Sequence, residues 1–153
     1  MYEPIRTKSV HTMAAAPEIP HRSREQELDI RLAGQLTALL TVTDELHALA
    51  TRTDGGAPQD AGPGAGPAAA ELATAAERIA EQVARLSGGH YPLRAEPTDG
   101  GTPARIEALQ QRAHTLAGNA LAVATTREDA AAAELAAERM AAHAAAHRDL
   151  ASA

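Results

Sequence analysis

A chain of 153 residues with a formal net charge of −6 supplies one domain's worth of sequence and little room for a second core. The absence of cysteine excludes disulfides, thiol catalysis and thiolate metal sites. The acidic balance excludes a general nucleic-acid binder, and Tyr2 and Tyr91, the only aromatic residues, make no stacking platform for single strands.

Alanine makes up a quarter of the chain, while Phe and Trp are missing. Few bulky apolar groups argue for disorder, and abundant alanine argues for helix. Helical periodicity decides between them: ordered helices with a thin core, joined by disordered connectors. Thirteen Arg against one Lys, with much Ala, Gly and Pro, points to a GC-rich bacterial genome. Arg6 and Lys8 are followed by no apolar stretch, and no run of about 18 uncharged apolar residues occurs. The expectation is a cytoplasmic protein with no membrane contact.

Residues 1–22 carry Pro4, Pro17 and Pro20 without a sustained period and are expected to form a flexible arm. Ser23-Arg-Glu-Gln26 is a capping box that starts a first helix over 24–51. Leu28, Leu32, Leu36, Leu39, Thr43, Leu46 and Ala50 make one stripe on it, and this stretch holds seven of the chain's fifteen leucines. The thinner helices that follow must bury themselves against this one.

A Gly/Pro-rich linker over 54–67 follows. The second helix, 68–87, has Pro67 at its first turn, Leu72, Ile79, Val83 and Leu86 on its stripe, and Gly88-Gly89 at its end. A second linker covers 88–102, in which Tyr91 and Leu93 are expected to close one end of the bundle. Thr102-Pro103 caps a third helix over 103–125, with Ile106, Leu109, Ala113, Leu116, Ala117, Ala120 and Val123 on one face. Thr125-Thr-Arg-Glu128 reads as a capping box for a fourth helix, 127–150, whose larger face residues are Leu135, Met140, His143, His147 and Leu150. The alternative is one unbroken helix from Pro103 to Leu150, improbable for a domain of this size. The fold expected is therefore all-α: an antiparallel four-helix bundle forming a single domain over 23–153, with up-down-up-down as the simplest topology.

His143-Ala-Ala-Ala-His147 is the one constellation that suggests chemistry. Histidines at i and i+4 stack on one helix face and can approach a single metal. His47 and His114, on the flanks of their stripes, are the candidates for a third ligand. The tail His143-x-x-x-His147-Arg148 resembles the last-helix motif of DinB-like metal-dependent bundles. That resemblance implies a four-helix domain, a divalent metal on the pair and one earlier histidine, and in some members thiol-dependent transferase or isomerase activity. His47 within Val42-Thr-Asp-Glu-Leu-His47 matches the earlier ligand. The chain departs from the family in placing that histidine inside helix one and Leu150 where a glutamine is usual.

Three weaker signals add nothing further. Asp44-x-x-His47 is a single copy of the Glu-x-x-His unit that di-iron bundles use twice. His90-Tyr91 has no carboxylate or nucleophile beside it, and Gly62–Gly66 lacks the Lys-Ser/Thr ending of a phosphate loop. The functional expectation is a non-enzymatic interaction or scaffold protein without a cofactor, whose partner is another protein or a second copy. The alternative is a histidine-metal bundle holding one divalent transition metal such as zinc on His47, His143 and His147.

Overall fold

The computed structural model describes residues 22–56, 66–98 and 100–152, and among these there are four helices and no strand. They are α1 (Arg24–Gly56), α2 (Gly66–Leu86), α3 (Pro103–Arg127) and α4 (Ala130–Ala151). Apart from Arg22, the arm expected over 1–22 lies outside the described residues, as do residues 57–65 of the first linker.

Local chemistry sets the helix ends. The Ser23 amide donates to Gln26 Oε1 at 2.9 Å while the Gln26 amide donates to Ser23 Oγ at 3.1 Å, a complete capping box. Gly88 takes φ 68° and lets the Gly89 amide close on the Ala84 carbonyl at 2.7 Å, which ends α2. Thr102 caps α3 by accepting from the Arg105 amide at 3.2 Å, with Pro103 in the first turn.

The break between α3 and α4 is present, but its cap is Asp129 and not Thr125. Thr125 and Thr126 stay inside α3 and donate back to the Leu121 and Ala122 carbonyls. Glu128 turns left-handed at φ 62°, and Asp129 accepts from the Ala132 amide at 3.1 Å. A carboxylate suits this place because it meets the free amides at the positive end of α4.

In space every neighbouring pair of helices is antiparallel. α1 packs on α2 and α3, α3 packs on α4, and α2 and α4 are the loosest neighbours; α1 faces α4, and α2 faces α3, across the diagonals. Arg105–Glu45 and Arg127–Asp29 fix α3 antiparallel to α1, and Arg85–Asp129 and Arg78–Glu138 fix α4 antiparallel to α2. Along the chain the order is up-down-down-up and not up-down-up-down. The second linker is long enough to carry the chain back along the bundle before α3 begins, as in bundles with one crossover connection.

That return path corrects the expectation for Tyr91 and Leu93, which stay exposed along it. The crossover runs on the outside, where Arg94 bridges Asp44 of α1 at 2.6 Å and Glu77 of α2 at 2.6 Å. Thr98 accepts from Arg105 and donates its amide to Glu45 at 3.0 Å. Gly101 then sits against Leu49, where an added Cβ would overlap the leucine methyl.

Leu32, Leu36, Leu39, Leu40 and Leu46 fill the core from α1. Opposite them α3 buries Ala113, Ala117, Ala120 and Ala124, and α4 buries Ala132, Leu135 and Ala136. Ile106, Leu109, Leu116 and Val123 of the expected α3 stripe are only half-buried, so the leucines of α1 face a wall of methyl groups. Leu28 and Ala50, the outer members of the α1 stripe, are also half-buried.

Candidate functional site on the last helix

On α4 the spacing Ala132, Ala136, Arg139, His143 directs four side chains to the interior, and the last two are polar. Arg139 is 1% exposed. Its Nη1 donates to the Glu71 carboxylate of α2, while its Nε is buried without a partner. The Glu71 side chain is 52% exposed, so a charge in the core is compensated by one that stands largely in water.

One turn on, His143 is 2% exposed, with Nδ1 2.7 Å from Gln110 Oε1 of α3. A carboxamide oxygen only accepts, so Nδ1 carries the proton and Nε2 presents a bare lone pair. That Nε2 has no partner. Burial, then the nearby Arg139 charge and His114, push the imidazole down to about 4, so it is neutral at physiological pH.

The next turn brings His147, whose buried Nδ1 is likewise unpartnered. It lines a cavity of about 190 Å³ between α3 and α4 with Gln111, His114, Ala144 and Arg148.

The surface beside this polar face is laced by ions. Arg78 grips Glu138 with two hydrogen bonds at 2.6 and 3.0 Å, which raises the guanidinium and lowers the carboxyl from their ordinary values. Burial pushes the Asp129 carboxyl up, but the hydrogen bonds from Arg85 and the Ala132 amide outweigh it and hold the group below the usual range. Arg94 is raised by its hydrogen bonds to Asp44 and then Glu77. Arg78–Glu138 and Arg85–Asp129, with Arg139–Glu71, make α2–α4 a seam bridged by side chains more than by backbone approach.

The expected metal set is not assembled. His143 and His147 share one face of α4 and His114 comes close to them, but His47 lies on α1, across the diagonal, with Nε2 3.5 Å from Thr51 Oγ1. Among the described residues no three His, Asp or Glu side chains converge as a metal would need. Asp44 serves Arg94, and His90 is exposed at the start of the crossover.

Sequence reasoning missed Arg139, Glu71 and Gln110. The signal for Arg139 was its place between Ala136 and His143 on the helical period, which outweighs its charge as an indicator of direction. Comparison with protein-family models, curated proteins and solved structures finds no match for this chain.

Proposed function

We propose that this chain is a non-enzymatic interaction protein of the cytoplasm whose partner is a second copy of itself. The crossover carries the reading. Leu93 is 97% exposed and Tyr91 65% exposed, on a segment that Arg94 and Thr98 pin to α1 and α2. Single exposed apolar residues are ordinary, but two on one anchored strap are already ordered for contact. Burying each is worth roughly 1.5–3 kcal/mol, which the alanine-lined core of α3 and α4 does not provide within one chain. No helix among the described residues is long and apolar enough to cross a membrane. Sedimentation equilibrium across the micromolar range tests the reading. The wild type is expected above the mass of one chain, and Tyr91→Ser with Leu93→Asp returns it to one chain without loss of helicity. A wild type that stays monomeric overturns it.

A second reading has its own support in the two bare nitrogens, His143 Nε2 and His147 Nδ1, on successive turns of α4. A divalent transition metal such as zinc held there would take His114, after a rotamer change, in place of His47. Elemental analysis after metal is offered and the excess dialysed away should then give one metal per chain. His143→Ala and His147→Ala should each lose it, and unchanged occupancy in both ends the reading.

A further inference from the structure

The crossover starts on one side of α1 and finishes on the other. Arg94 ties it to Asp44 of α1 and Glu77 of α2, whereas Thr98 meets Glu45 and Arg105, the pair that joins α1 to α3. Leu93 therefore stands on the α1–α2 side, near the level of Asp44. On the α1–α3 side, at the same level along α1, lies a groove of about 570 Å³. Ala38, Val42 and Leu109 form its apolar part, and Thr98 at the end of the crossover forms part of its rim.

Strap and groove also match in charge. Of the groove's charged residues, Glu45 and Arg105 pair with each other, while Arg112 has no ion pair among the described residues. On the crossover Arg94 is doubly paired, while Glu96 has no ion pair among the described residues. Three residues of extended chain carry Glu96 up to about 10 Å from Leu93. Arg112 stands one turn past Leu109 on the same face of α3, so one strap can seat Leu93 against a Leu109 and bring Glu96 to an Arg112. Leu93 cannot enter the groove of its own chain, because Arg94 holds it on the far side of α1. A second copy meets no such bar.

Resting on the self-association reading, we propose that two copies dock about a twofold axis running along α1, each placing Leu93 in the partner's α1–α3 groove and Glu96 against the partner's Arg112. Such an axis exchanges the two sides of α1 without changing level, so each strap falls on a groove and the assembly closes at two chains.

Sedimentation equilibrium of the full chain tests this on the wild type, Leu93→Asp, Glu96→Arg, Arg112→Glu and the exchanged pair Glu96→Arg with Arg112→Glu. All three positions are exposed, and helicity checks that each variant folds. The wild type is expected to be a dimer in the micromolar range, and Leu93→Asp a monomer. Each charge reversal should weaken the dimer about tenfold or more, because symmetry repeats the like-charge contact. The exchanged pair should return association close to that of the wild type. A dimer lost in Leu93→Asp but indifferent to both reversals, or reversals that do not compensate each other, overturns the groove and leaves self-association standing. A monomeric wild type overturns both, and a mass above two chains overturns the twofold arrangement.

Discussion

Glu128 holds a left-handed φ of 62° at the junction of α3 and α4, the only non-glycine among the described residues with a positive φ. An L side chain strains that conformation, and glycine at this position past a helix end relieves it. Glu128→Gly is therefore expected to stabilise the fold by about 0.5–1 kcal/mol after the entropy of the unfolded glycine is counted, read as a higher melting temperature. His143 makes the opposite contribution. Its folded value, about 4, lies below its ordinary 6.5, so as the pH falls the unfolded chain takes up the proton first. In metal-free protein the stability from neutral His143 is complete above the ordinary value and is lost as the pH falls to about 4, by roughly 3 kcal/mol. Urea unfolding between pH 7.5 and 4 checks this, with His143→Leu expected to flatten the slope.

At the level of elements, α1 contributes bulk and α3 contributes closeness. Leu39 is fully buried in a core to which α3 contributes only alanines, so Leu39→Ala leaves a hole that the short α3 side chains do not fill. The expected cost is about 2–5 kcal/mol. Ala117 is equally buried, and Ala117→Leu should cost about 1–3 kcal/mol for the opposite reason, since a larger side chain forces α3 away from α1. Denaturant midpoints of the two variants test whether the bundle depends on this pairing of leucine with alanine. Similar small losses in both would mean that the helices slide to accommodate either change.

For the whole molecule, the up-down-down-up order leaves one wall different from the other three. α1–α2, α1–α3 and α3–α4 are held by close packing, and α2–α4 is bridged by Arg78–Glu138, Arg85–Asp129 and Arg139–Glu71. Salt screens exposed pairs strongly and buried packing hardly at all. Raising the ionic strength should therefore speed amide exchange in α2 and leave the central turns of α1 and α3 protected. Uniform acceleration across all four helices would show that the bundle opens as one unit and that the seam is no weaker than the other walls.

The sequence by itself determined the elements. The leucine stripe of α1, the Ser23 and Thr102 caps, the Gly88 stop and the break before α4 are all encoded within a few residues, because helix periodicity and capping are local. The interior position of His143 was legible for the same reason. Direction and partnership were not local. Only the tertiary structure decided that the second linker returns outside the bundle, leaving Tyr91 and Leu93 in water, because a long connector permits either topology. It also separated His47 from the α4 pair by placing α1 and α4 across a diagonal, and set Arg139 in the core with Glu71. A helix specifies which of its faces is buried, whereas what that face meets depends on how four helices share one interior.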